Sequence, residues 1–500
     1  MIFLQLKQNL KEYNKYYNDI LSKPNINKIL NIGLYLFFFI VPLCYLQRFL
    51  DNDTWFLLNS GRYIQNNGFA IIEPFSIHQD MNFIFQQWLT DYYFWIIYNK
   101  LGQAGLIICI YLEAVVLNIL LFTLLNIIGK NKIASFFALV FFNMYAGVYY
   151  VTRPQVTTMI SLVLLLICLE KYAQSNNKKW LYFLPLISVL EINLHSSIWW
   201  MLFVFTLPYI FDFINIKAIG LKGDRYYNKV NIIVADIIMF ICGFINPYTY
   251  KSVFYLFNSL SSEYKNTISE LSKFSLGYQS NVICFIIILL LMILYCYEVF
   301  KKDKIYNSRY VYLFVGCTIL FFYALRNIIF FAIALSVIIV VLTKDYIKIN
   351  NVCKFLIGIF LSIICILFLV NKINYDQYSA SQNQQKEVKD YILEQVDNPE
   401  NINLYTSFND GPFFEFFGFK CYMDARMEVF TKKINGQYDY FDECSKVSCG
   451  SEHYNTIFDK YDFDYYVIDK NTTIYTYIKK DNNYESVFSN QSYDLFIKKR

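Results

Sequence analysis

Two carboxylates two residues apart, Asp51 and Asp53, follow directly on the first long apolar run of this chain. A carboxylate set beside a reacting hydroxyl can take its proton. Further on, single polar residues break otherwise apolar sequence. They are Arg153 in Thr152-Arg153-Pro154, then Glu191, Asn193 and His195 close together, then Asn246 before Pro247, and Arg326 between two apolar runs. The planar donor fork of Arg matches a phosphate better than any other side chain does. A base together with guanidinium groups is the set needed to deprotonate an attacking hydroxyl while a phosphate leaves.

What must position these residues is legible in the composition. The 500 residues are 56% hydrophobic and only 17% charged, a balance that soluble domains rarely reach and polytopic membrane proteins reach naturally. The aromatic share of 20% accompanies equally high Ile, Asn and Lys, so it reads as a general compositional bias rather than a sugar-stacking surface. The net charge of +5 carries no run dense enough for nucleic acid. With three histidines and no zinc-like spacing, a structural zinc site is not expected. Most of the twelve cysteines sit in apolar runs as small hydrophobes, while Cys444 and Cys449 in the polar tail could pair in an oxidising compartment. The first apolar run, preceded by a Lys- and Tyr-rich stretch, reads as a signal-anchor span.

Apolar runs near 30–50, 104–128, 132–151, 155–173, 180–194, 196–214, 230–246, 281–300, 310–325, 327–343 and 353–371 predict about eleven spans. The run at 180–194 is short, but it is needed to keep the charge alternation. With the N-terminus cytoplasmic, Lys and Arg concentrate in alternate loops. Lys130 and Lys132, then Lys171, Lys178 and Lys179, then Lys217 to Lys229, then Lys301 to Arg309 fall inside, and fewer fall outside. The predicted architecture is a polytopic α-helical membrane domain over 1–371, with an outward first loop over 51–102, and a small extracytoplasmic α/β domain over 372–500. In that tail, a helix near 381–397 and strands near 403–405, 465–468, 474–478 and 495–497 are expected.

In this orientation Asp51, Asp53, Arg153, Glu191, Asn193, His195, Asn246 and Arg326 all reach the outer face. Ionisable groups at membrane depth are costly and mark function. Sugar transfer fits this set. Asp51 or Asp53 would be the base, Arg153 and Arg326 the phosphate partners, and Glu191, Asn193 and His195 would hold sugar hydroxyls or phosphate. With no nucleotide-sugar pool outside the cytoplasm, a polyprenyl-phosphate-linked sugar is the available donor. Trp88, Tyr92, Tyr93 and Trp95, interleaved with Gln87 and Asp91, form an aromatic stretch suited to the membrane interface.

Asp51-Asn52-Asp53-Thr54-Trp55, Gly61-Arg62, Glu73-Pro74-Phe75-Ser76 and Gln87-Trp88-Leu89 occur in an order that resembles bacterial multi-spanning glycosyltransferases of the GT-C superfamily. Thr152-Arg153-Pro154, Asn193-Leu194-His195, Asn246-Pro247-Tyr248 and Arg326-Asn327 extend the resemblance, as do Asn409-Asp410-Gly411-Pro412 and Met423-Asp424-Ala425-Arg426 in the tail. It resembles most closely a branch with a periplasmic C-terminal domain. It implies a first-loop catalytic Asp, a lipid-linked donor, a glycan, lipid or protein acceptor, residence in the cytoplasmic (inner) membrane, and substrate contacts that include Arg62, Gln87 and Trp88. For some members it implies a divalent metal, Mg or Mn, beside Asp51 and Asp53. The chain departs from that pattern with Glu73 for Asp and Ala425 for Gly. A transporter or lipid flippase, or an inactive membrane protein with an exported domain, is the competing expectation. A transporter would want internal repeats and mid-bilayer charges, and neither is evident.

Overall fold

The computed structural model describes residues 24–47, 49–259, 269–346 and 377–499. The expected span at 353–371 and the lysines before residue 24 lie outside the described residues. Helices dominate: α1 (Pro24–Tyr45), α2 (Asn52–Asn67), α3 (Trp88–Gly129), α4 (Lys132–Ala146), α5 (Gln155–Ser175), α6 (Phe183–Leu194), α7 (Met201–Ile210), α8 (Lys229–Cys242), α9 (Gln279–Lys302), α10 (Ser308–Tyr323) and α11 (Ile328–Thr343). Among the described residues, five helical stretches are long and apolar enough to cross a membrane. They are α3, Lys132–Tyr149, α5, α9 and Leu325–Thr343. The expected spans 180–194, 196–214, 230–246 and 310–325 are helical but only 12, 10, 14 and 16 residues long. At about 1.5 Å per residue these are shorter than a ~30 Å hydrocarbon core. Their apolar runs had included residues that the chain spends in tight turns.

Where each helix sits follows from its faces. In α11 every residue from Ile329 to Leu342 is buried, so this uniformly apolar helix is the central post of the bundle. In α9 most apolar side chains stay exposed, as on a helix facing lipid. One helix is two elements. Gly102, at φ 65°, breaks α3 between an interfacial segment and the span that follows it. Nothing crowds a Cβ there, so glycine is required for the left-handed backbone and not for room. The break falls at the predicted end of the outward loop. At the face expected to be cytoplasmic, Arg309 is buried between Glu170 (3.1 Å) and Asp212 (2.8 Å), tying α5, the turn after α7 and α10 together.

The tail folds as helix α12 (Gln377–Gln395) against a five-stranded mixed sheet. Its strands are β1 (Asn403–Tyr405), β2 (Lys420–Cys421), β3 (Tyr465–Asp469), β4 (Tyr484–Ser489) and β5 (Tyr493–Lys498), in spatial order β2-β1-β3-β5-β4. β1 runs parallel to β2 and β3, whereas β5 is antiparallel to β3 and β4. The expected strand at 474–478 is instead a helix, Thr473–Ile478, capped by Thr472. Ile474 and Ile478, four residues apart, share its buried face. Cys444 (buried) and Cys449 (exposed) are free thiols.

The tail packs on the first loop. Ser76 pairs with Cys421 in a parallel bridge, and Lys420 Nζ donates to Pro74 O at 2.6 Å. Arg426 Nε donates to Asp424 Oδ2 at 2.8 Å and its Nη2 to Glu73 Oε1 at 2.8 Å. Glu73 also accepts from the Phe75 and Ser76 amides, so one carboxylate shapes its own turn and anchors the tail.

Candidate active site

The acidic pair is held by the local chemistry of a helix start. The first amides of a helix lack intrahelical partners, and an Asp at the cap satisfies them. Asp51 does this for α2: its Oδ1 accepts from the Thr54 amide at 3.0 Å and from Thr54 Oγ1 at 2.6 Å. Asp53 falls in the first turn of α2. Thr54 also bonds both the carbonyl and the hydroxyl of Thr152, which docks the Thr152-Arg153-Pro154 turn onto the start of α2. Behind that turn, Asn118, Asn143 and Tyr150 close a buried ring of hydrogen bonds of 2.7 to 2.9 Å.

Arg153 therefore arrives with little freedom. Its Nε donates to Asp51 Oδ2, its Nη1 lies 2.8 Å from Asp53 Oδ2, and the same nitrogen lies 3.9 Å from Glu270 Oε1. Burial pushes the Asp53 carboxyl up to about 7. Arg153 opposes that shift, and Asp51 and Glu270 add to it.

Asp53, Gln87, Arg153, His195 and Arg326 line one cavity of about 360 Å³, with Glu270, Phe408, Asn409, Arg426 and Glu428 completing its wall. That is the size range of small-molecule pockets. His195 caps the end of α6, with its Nδ1 3.0 Å from Thr158 Oγ1, while that hydroxyl donates to Glu191 Oε1 at 2.7 Å. Burial first, and Arg326 next, push the imidazole down to about 3, so it is neutral at neutral pH. Arg326 stands in a 3-10 turn between α10 and α11, and among the described residues no carboxylate lies within ion-pair distance of it.

The other expected residues lie outside the cavity wall. Glu191 sits behind His195. Asn193 accepts from Trp88 Nε1 at 2.6 Å and donates to Val189 O and Ile245 O, joining the start of α3 to the end of α6. Asn246 closes its own turn, donating to Gly243 O and Thr249 O. Arg62 donates to Asn59 and to Phe416 O at 2.7 Å and lies over the Phe416 ring, tying α2 to the tail. Sequence reasoning passed over Glu270, one of two acids in an outer loop that also carries Lys251, Lys265 and Lys273. It also passed over Glu428, which accepts from Gln86 (3.0 Å) and Tyr255 (2.9 Å).

The acidic pair as arranged does not fit a divalent ion. Asp51 has both oxygens engaged, Asp53 and Glu270 face the guanidinium, and no group of three His, Cys, Asp or Glu side chains among the described residues is set to hold a metal.

This backbone is similar to that of the oligosaccharyltransferase of Archaeoglobus fulgidus, solved with a tethered acceptor peptide containing an NVT sequon. The TM-score is 0.56 at 11% identity, over 90% of this chain and 69% of that one. At that identity the likeness shows the fold alone, a largely helical one with five helices among the described residues long and apolar enough to cross a membrane. No protein-family model matches the chain, and no curated protein does.

Proposed function

We propose that this chain is a membrane glycosyltransferase that moves a sugar from a polyprenyl-phosphate donor to an acceptor on the non-cytoplasmic side, with Asp53 as general base. The N-terminus is then cytoplasmic and the tail extracytoplasmic. Asp53 removes the acceptor proton as the acceptor oxygen bonds the anomeric carbon, and the bond from that carbon to the phosphate oxygen breaks. Arg326, a cation with no carboxylate partner among the described residues, receives the charge that develops on the leaving phosphate. His195, neutral at neutral pH, hydrogen-bonds a sugar hydroxyl. Asp51 and Arg153 position the base. The observation that carries this reading is that Asp53 and Arg326 share one cavity wall.

The test is mass spectrometry of surface glycans and lipid-linked intermediates from a deletion strain complemented with wild type or Asp53→Asn. Loss of one glycan, with its lipid-linked donor accumulating, supports the reading. Unchanged glycans with altered solute uptake would replace it with a transporter.

A further inference from the structure

We propose that Arg153 is the resident cation of this site, occupying the point between the acidic side chains at which a divalent ion would otherwise sit. The inference deepens the transfer reading, but its first test does not depend on it.

Carboxylates that converge on one point from separate elements are the usual mark of a cation site. Here Asp51 and Asp53 come from the start of α2 and Glu270 from the loop before α9, and the point on which they converge is the guanidinium of Arg153. The occupant is covalently fixed. Thr54 clamps the backbone on one side of Arg153, the Asn118–Asn143–Tyr150 ring lies behind it, and Pro154 follows it. Nor is Asp51 free to turn away, since its Oδ1 caps the helix. A guanidinium keeps its charge at every physiological pH, so the site is charged without loading. A second cation at the same point would meet like-charge repulsion. The site thus divides two jobs between two arginines: Arg153 organises the carboxylates, and Arg326 meets the substrate's phosphate.

The probe is Mn(II), titrated into purified full-length protein in lipid nanodiscs, with free Mn(II) read by electron paramagnetic resonance. Wild type is expected to bind no stoichiometric Mn(II). Arg153→Ala, which frees three carboxylates, is expected to gain one site at least ~10-fold tighter than any wild-type binding, and adding Asp53→Asn should remove it. Wild-type binding of one Mn(II) that Asp53→Asn or Glu270→Gln weakens would overturn the inference. So would a folded Arg153→Ala protein that binds no better than wild type. Should Arg153→Ala fail to fold, the wild-type titration with its Asp53→Asn and Glu270→Gln controls still decides. In membranes, glycan transfer is expected to persist after EDTA treatment. Transfer abolished by EDTA and restored by Mn(II) would also overturn it. If Asp53→Asn leaves every glycan unchanged while the Mn(II) results hold, the transfer reading fails and the cation assignment stands.

Discussion

Asp53 Oδ2 lies 2.8 Å from Arg153 Nη1, and this contact separates the roles of the two first-loop acids. Asp51 spends both oxygens on the cap of α2 and on the Arg153 Nε. Asp53 gives one oxygen to Arg153 and still lines the cavity. One acid is built into the frame, and the other faces the cavity.

Asp53→Asn is therefore expected to lower transfer by about 10²- to 10⁴-fold, the range for loss of a general base, with thermal stability nearly unchanged. Asp51→Ala is expected to lower stability by about 1–2 kcal/mol, the cost of a lost helix cap. Activity assays and thermal melts of the two variants side by side check the division. Equal losses of activity at unchanged stability would refute it.

The pH profile carries a sign. Burial raises Asp53 to about 7, so below that pH the group is protonated and cannot take a proton. The value of kcat/KM is expected to climb about tenfold per pH unit below 7 and to level off above it. A rate flat from pH 5 to 8 would exclude Asp53 as base. His195, held down near 3, contributes no inflection in that range.

Arg326→Ala removes a cation that has no carboxylate partner among the described residues. It is expected to cost about 10²- to 10³-fold in kcat, the scale of one lost charge-stabilising donor. Arg326→Lys should recover part of that loss, because the charge returns without the planar fork. Steady-state kinetics with a short-chain lipid-phosphate sugar measure both.

Arg426→Ala is expected to loosen the tail from the first loop. It leaves Glu73 and Asp424 buried without their cation, at a cost of about 3–5 kcal/mol. Limited proteolysis should then release the tail. If the Arg426 variant resists protease like wild type, the docking argument fails.

Much of this arrangement was visible in the residues. The acidic pair, the arginine turn and His195 were legible because ionisable side chains are conspicuous among apolar runs, and five of the expected residues line one cavity. Trp88, Asn193, Asn246 and Arg62 looked alike in sequence. A polar group at a helix end reads the same whether it binds a ligand or closes a turn, and only its partners separate the two. Span lengths were overread because an apolar run does not mark where a turn begins. The segment 474–478 was misread because Ile474 and Ile478 suit a strand face and a helical turn equally. The polar, exposed Thr476 between them was the signal for the helix. Glu270 and Glu428 had no local signature, and their place is set by contacts with residues far away in sequence.

Asn409, Arg426 and Glu428 come from the tail, so the cavity has its full wall only once that part of the chain has folded. During synthesis the helical bundle emerges first and its wall last. Without the tail, the helices that carry Asp53, Arg153, His195 and Arg326 would surround a groove open on that side.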